Sequence, residues 1–273
     1  MPGIDPQPAI RWRPSRLVAG SLALHAAASV AWAIQPGWWP QLLALLAADH
    51  GVLTLCGLWP RSQWLGPNLT RLPPASIARG EFAITIDDGP DPEVTPAVLD
   101  LLDRFQARAT FFCIGTHAQR HPALCREIVR RGHAIENHSQ HHRHYFSLMG
   151  TGGLRREIAL AQQTLAAITG QRPRFFRAPA GLRNPLLDPV LPGMGLLLAS
   201  WTRRGFDTRT GDPDLLLRRL ATGLRAGDIL LLHDGNAART SGGQPVILAV
   251  LPRLLEQAAA SGLRPVTLTQ AHA

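Results

Sequence analysis

From Glu81 onward, short apolar runs alternate with longer amphipathic ones, and this alternation limits the possible fold more than any other feature of the chain. Phe82 to Ile86, Ala109 to Ile114, His133 to Asn137, Arg174 to Arg177, Leu196 to Ser200, Ile229 to His233 and Pro265 to Thr269 are predicted strands. Helices are predicted over Thr95 to Ala107, Pro122 to Arg131, Gly153 to Ile168, Pro213 to Leu224 and Pro245 to Ala260. The run Ile229 to Leu232 has no polar alternation, as expected of a strand covered on both faces. Alternating strands and helices build a mostly parallel α/β sheet, and about seven such units predict a barrel.

The first 64 residues have a different character, holding six of the seven tryptophans. Leu17 to Ile34 carries no formal charge, a turn-forming stretch follows from Gln35 to Pro40, and a second apolar run extends from Gln41 to Pro60. The lengths suit two membrane spans joined by a short turn, with tryptophans bracketing the runs as an interfacial belt does. A buried helical hairpin packed on a soluble domain is the competing reading, and Asp49 with His50 must be paired or neutral for insertion. Arg11, Arg13 and Arg16 precede the first run, none lies in the turn, and Arg61, Arg71 and Arg79 follow the second. The positive-inside rule then puts both outer ends, and the downstream domain, in the cytoplasm of a bacterial-type inner membrane. A signal-anchor reading would send that domain outside instead. The expected organisation is a basic segment 1–16, two apolar helices in 17–60, a linker 61–80 and a catalytic domain 81–270.

Composition excludes several functions. All 28 cationic residues are arginine, so lysine Schiff-base chemistry and a phosphate loop built on lysine are absent. No block of five like charges accompanies the formal +9, which gives no case for nucleic acid as a partner. Cys56, Cys113 and Cys125 form no Cys-x-x-Cys pair, so a metal would rely on histidine and carboxylate.

The polar residues suited to chemistry stand where predicted strands end. Asp87 and Asp88 follow the first strand, where one carboxylate can bind a metal while the other acts as a base; Asp-Gly-Pro also reads as an ordinary turn. If 138–142 is helical, His138 and His142 lie four apart on one face and can share an ion with Asp88. His141 and His144 read as solvated or supporting histidines. Arg177, Trp201 to Asp207 and His233 close later strands, and taken together these groups occupy the end of a barrel that carries active sites.

These residues resemble the polysaccharide deacetylases, carbohydrate esterase family 4, with their NodB-homology domain. The resemblance rests on Ile84 to Pro90, His138-Ser-x-x-His142, Arg177-x-Pro-x-Gly181, Trp201 through Asp207 and Leu231-x-His233, and spans roughly 80–270. It implies a distorted seven-stranded (β/α) barrel and metal-dependent removal of an N-acetyl group from an amino sugar. Asp87 becomes the general base, and Asp88, His138 and His142 the ligands of one divalent ion, Zn2+ first with Co2+ or Ni2+ as alternatives, whose bound water is the nucleophile. His233 acts as the acid from the opposite side of the pocket, tuned by Asp207. Arg177 orients Asp87, a backbone N–H near Ala180 meets the oxyanion, and Leu231 with Trp201 walls the pocket for the acetyl methyl.

Ala180 and Thr208 stand where the family often has aromatics, and Arg204 replaces an aspartate of the fourth motif. Sugar-stacking groups are therefore expected to be missing. Arg203 or Arg204 would meet the phosphate of a lipid-linked or nucleotide-linked amino sugar. The expected partners are an amino-sugar glycan or lipid-linked sugar together with membrane lipid. A membrane-anchored glycan-binding protein without catalysis, and a non-haem iron oxygenase using the same His-His-Asp set, are the alternatives; the oxygenase needs neither Asp87 nor His233.

Overall fold

The computed structural model describes residues 12–273. The first eleven residues, with most of the basic N-terminal segment and Arg11, lie outside the described residues. Helix α1 (Arg16–Ile34) starts at Ser15, whose Oγ accepts the Val18 N–H at 3.2 Å. A single turn at Pro36–Trp38 reverses the chain into α2 (Trp39–Leu58). Both helices are long and apolar enough to cross a membrane, with mean hydropathy 1.7 and 1.5, and only 11% of each span is buried in the protein. Trp32, Ile34, Trp38 and Trp39 are exposed around the turn. The ionisable residues within the hairpin pair across it: Ser21 Oγ donates to Asp49 Oδ2 at 2.6 Å, and the His25 and His50 rings meet through Nε2 atoms 3.2 Å apart.

After α3 (Pro74–Ala78) come β1 (Glu81–Asp87), α4 (Thr95–Arg104), β2 (Ala109–Cys113), α5 (Gly115–Arg120), α6 (Pro122–Arg130) and β3 (Ala134–Asn137). Helix α7 (Thr151–Thr169) leads to three two-residue strands, β4 (Phe175–Phe176), β5 (Leu197–Leu198) and β6 (Arg203–Arg204). Then follow α8 (Pro213–Ala221), β7 (Ile229–His233), α9 (Val246–Ala260), β8 (Arg264–Val266) and α10 (Leu268–Ala271). All strand pairs are parallel, in the order β5-β4-β3-β2-β1-β7-β6, with β8 on the first half of β1. This is the expected parallel (β/α) barrel, distorted and open between β5 and β6, preceded by two apolar helices.

The period of two along each strand separates two cores. Phe82, Ile84 and Ile86 of β1, with Leu230 and Leu232 of β7, pack outward against Leu99, Leu216, Val250 and Leu254. Ala83, Phe112, Ile229 and Leu231 fill the interior with Trp201. The same alternation runs from Ala83 through Thr85 to Asp87 on β1 and from Leu231 to His233 on β7, which places both at the C-terminal end of the interior.

Residues 61–80, expected as a linker, are built into the barrel. Leu65 and Leu72 are buried, and Leu69 bridges to Ala199 beside β5, its N–H donating to the Leu198 carbonyl at 2.9 Å and its carbonyl accepting from the Ser200 N–H at 2.8 Å. The predicted last strand is shorter than expected, because Thr267 caps α10 through a reciprocal side-chain pair with Gln270 and stops the extended run at Val266. Helix α5 and the polar strand β6 carry no apolar periodicity and fall outside the predicted elements.

Candidate active site

The first strand delivers Asp87 and then turns sharply. Asp88 adopts a left-handed conformation at φ 74°, and a Cβ on Gly89 would sit 2.4 Å from the Asp234 carboxylate, so only glycine fits. The turn aims the two carboxylates apart. Asp87 Oδ1 accepts from Arg177 Nη1 at 2.6 Å, while Asp88 Oδ1 lies 3.3 Å from His138 Nε2 and 3.4 Å from His142 Nε2.

The 138–142 segment is not helical, contrary to the i, i+4 reading. His138 directly follows β3, Ser139 and His142 take left-handed conformations at φ 64° and 49°, and Asn137 Oδ1 accepts the Ser139 N–H at 2.9 Å. This compact loop still brings the two imidazoles together, with centroids 4.8 Å apart. One donor atom from each of Asp88, His138 and His142 lies within 4.8 Å of the others.

Two observations fit this trio to a cation. Asp88 Oδ1 is buried and has no hydrogen-bond partner, the state of an oxygen waiting for an ion. His138 Nδ1 lies 2.8 Å from the Arg177 carbonyl, so it carries the proton and leaves the Nε2 lone pair facing Asp88. Burial pulls the His142 pKa down to about 4, helped by the charge of His138, which keeps the ring neutral as a ligand must be. His138 is raised, since burial is outweighed by the Asp87 charge and the Asp88 carboxylate beside it.

Arg177, a strand-end arginine that reads by itself as a surface charge, is 1% exposed. Its guanidinium donates to Asp87 Oδ1, to Thr85 Oγ1 at 2.7 Å and to the Ala199 and Ser200 carbonyls, and lies 4.1 Å over the Phe112 ring. It is a buried clamp on Asp87. Asp207, fully buried, receives the His233 backbone N–H at 2.7 Å and the Nδ1–H at 2.9 Å. Burial lowers the His233 pKa, but the Asp207 hydrogen bond and charge, with Asp87 and Asp88 beyond, raise it to about 9. His233 sits on the strand next to Asp87 rather than across the pocket.

Ala180 is exposed at φ 54° on the Pro179–Gly181 turn. Trp201 and Leu231 are buried together in the interior cluster. Arg204 lies over both Trp201 and Phe206, its guanidinium carbon 5.5 and 4.9 Å from their ring centroids, and its buried Nε has no partner. Arg203 is already committed to Asp228 at 2.8 Å and to the Thr222 and Gly223 carbonyls. An aromatic does occur at the mouth, contrary to expectation: Phe206, 42% exposed, precedes Asp207 instead of following it.

Residues missed in the sequence support the ligand trio from behind. Asn236 donates to Asp88 Oδ2 at 3.3 Å, and His117 Nδ1 lies 2.9 Å from the Asp88 carbonyl. Asp234, fully enclosed beneath Gly89, accepts from Thr95 Oγ1 at 2.5 Å, and burial pushes its pKa up to about 7. Only the proximity of Asp234 to His233 in the chain hinted at any of these.

The polar ring sits at the C-terminal end of a parallel barrel, the end where barrel enzymes keep their active sites. The polysaccharide deacetylase family model matches residues 77–197. A peptidoglycan-N-acetylglucosamine deacetylase of Bacillus cereus is 34% identical over 191 residues, 69% of this chain and 86% of the relative. A chitooligosaccharide deacetylase of Azorhizobium caulinodans is 38% identical over 153 residues, 56% and 72% of the two chains. The solved family 4 carbohydrate esterase from Streptomyces lividans, in complex with acetate, superposes with TM-score 0.61 at 31% identity over 68% of this chain and 91% of that one. The chain belongs to the polysaccharide deacetylases, carbohydrate esterase family 4, with a NodB-homology domain.

Proposed function

We propose that this chain is a metal-dependent hydrolase that removes the N-acetyl group of an amino sugar at a membrane surface. The observation that carries the reading is the buried, unpartnered Asp88 Oδ1 facing two imidazole nitrogens, beside a separately clamped Asp87. The relatives named as peptidoglycan and chitooligosaccharide deacetylases support the substrate class. Asp88, His138 and His142 would hold one divalent ion, with Zn2+ suited to two imidazoles and a carboxylate. Such an ion supplies Lewis acidity, bringing the pKa of a bound water towards about 7 and polarising the amide carbonyl.

The chain's own groups do the rest. Arg177 fixes Asp87 through Oδ1, leaving Oδ2 to take the proton of the attacking water. The Pro179–Gly181 turn offers the Ala180 backbone N–H as a donor for the developing oxyanion. His233, with Nδ1–H tied to Asp207 and a pKa raised to about 9, is protonated at neutral pH and gives its Nε2 proton to the departing amine. Trp201 and Leu231 form the apolar floor beneath the acetyl methyl.

The hairpin α1–α2 would anchor the enzyme in a bacterial-type inner membrane with the barrel on the cytoplasmic side, as the flanking arginines direct. The test is mass spectrometry of N-acetylglucosamine oligomers incubated with the zinc-loaded full chain. Loss of about 42 Da per acetyl group is expected, an acetyl exchanged for a hydrogen with acetate released; no loss from any amino sugar would leave a non-catalytic glycan-binding protein as the better reading.

A further inference from the structure

The end of α2 is fastened directly to the loops that follow β4 and β5. The Arg183 N–H donates to the Gly57 carbonyl at 3.2 Å, Ser200 Oγ to the Pro60 carbonyl at 2.9 Å, and Arg61 Nη1 to the Thr202 carbonyl at 3.1 Å. Gly181 is wedged there at φ 74°, where a Cβ would come within 2.5 Å of Trp201 and 2.8 Å of Pro60. If α2 spans the bilayer, the pocket therefore opens at the membrane plane.

Beside it lies a cleft of about 960 Å³ lined by Trp201 and Arg204 and bounded by Trp59 at the helix end. Six arginines line it: Arg61, Arg71, Arg203, Arg204, Arg219 and Arg225. One acid, Asp228, faces them and is taken by Arg71 and Arg203 at 3.1 and 2.8 Å. Arg61, Arg204, Arg219 and Arg225 have no carboxylate partner among the described residues. So many unneutralised guanidiniums around one cleft repel one another unless an anion joins them, and their planar donor forks suit phosphate oxygens. Arg204 is the focus, because it lies over two aromatic rings while its buried Nε lacks an acceptor.

We propose that this cleft binds the phosphate of a lipid-phosphate-linked amino sugar, holding its N-acetyl group over the catalytic residues while the chain of the lipid stays in the bilayer beside α2. The proposal rests on the deacetylase reading for its sugar and on the cleft for its phosphate. The exposed apolar flank of α2 near Leu55, Leu58 and Trp59 favours a lipid over a nucleotide as the group beyond the phosphate.

The test uses the metal-free full chain in detergent, so that binding is read without turnover. Farnesyl phosphate should bind at least ten times more tightly than farnesol. Arg204→Gln and Arg225→Gln should each weaken farnesyl phosphate several-fold while leaving farnesol unchanged. Arg225 is exposed, so its variant tests the cleft even where Arg204→Gln does not fold. Equal affinities for the two probes, or no effect of Arg225→Gln, would overturn the proposal, as would tighter binding of UDP-N-acetylglucosamine than of farnesyl phosphate. Deacetylation of N-acetylglucosamine oligomers without phosphate-dependent binding would sink this inference and leave the enzyme reading intact. Phosphate-dependent binding with no deacetylation of any acetylated sugar would do the reverse.

Discussion

Asp87 and His233 are register partners on adjacent parallel strands, β1 and β7, so their side chains emerge on the same face of the sheet at the same height. One is clamped by Arg177 and the other by Asp207, two buried partners that never meet each other's charge. The geometry thus keeps a base and an acid side by side without letting them neutralise each other. Asp87→Asn and His233→Ala are each expected to cut turnover by about 10² to 10⁴, the range for positioned acid–base groups, while zinc content stays near one per chain. Stopped assays on amino-sugar oligomers with parallel metal analysis check both halves, and parental turnover in Asp87→Asn would remove it as the base.

The alkaline side of the pH profile should report His233. Its folded pKa is raised to about 9, so the acid form is fully present at neutral pH and is lost as pH rises through that value. A divalent ion on Asp88 offsets carboxylate charge nearby, which puts the limb of the loaded enzyme at or below about 9. Asp207→Asn removes the largest influence raising this pKa, so the limb should move to lower pH. An unmoved limb in Asp207→Asn would assign it to another group.

Metal binding should fail for the ligands and survive for their supports. His138→Ala and His142→Ala are expected to lose the ion on gel filtration, whereas Asn236→Ala and His117→Ala should keep it with affinity reduced about 10- to 100-fold, the usual cost of removing an outer hydrogen bond. Two ligand variants that each retain one tightly held zinc would show that the trio is wrong.

How far the site was readable depends on how local each signal is. The strand-end positions of Asp87, Asp88 and His233 follow from apolar runs that stop abruptly, because burial on both faces leaves a continuous pattern. The His138–His142 pairing was readable as a spacing, but its helical rationale was wrong: two left-handed residues fold the loop back, and spacing alone does not distinguish that from one helical turn. Arg177 looks like a surface charge until the barrel closes around it. Phe206 and Asn236 on loops and His117 on α5 are single residues far apart in sequence, and only the tertiary fold brings them to the site.

Glu136 links the site's framework to pH. Burial raises its pKa to about 7, against hydrogen bonds from the Phe175 and Arg174 N–H groups, both 2.7 Å, and from Thr269. A raised carboxyl pKa means the folded state holds its proton longer than the unfolded chain does, so the stabilisation is complete below about 4.5 and is lost as pH climbs to about 7. Glu136→Gln keeps an oxygen for the two backbone donors and has no proton to lose. The difference in melting temperature between variant and parent should therefore shift in the variant's favour between pH 4.5 and 7. A constant difference across that window would show that Glu136 titrates normally.

The anchor yields the last expectation. Two helices of 19 and 20 residues expose nearly all their apolar surface, and the polar groups between them pair internally as Ser21 with Asp49 and His25 with His50. Internal pairing reduces the cost of about 2.5 to 3.5 kcal/mol per ionisable group that otherwise opposes insertion. Ser21→Val leaves Asp49 without its partner and should lower the membrane-inserted fraction in carbonate extraction, whereas the exposed Leu22→Val should not. The arginines flanking both outer ends, with none in the turn, are the basis for the proposed cytoplasmic placement of the barrel. A fluorescent reporter active only in the cytoplasm and a phosphatase active only in the periplasm, each fused after Ala273, separate the two sides. Phosphatase activity alone would overturn the cytoplasmic placement and turn the pocket towards a glycan on the far side of the membrane.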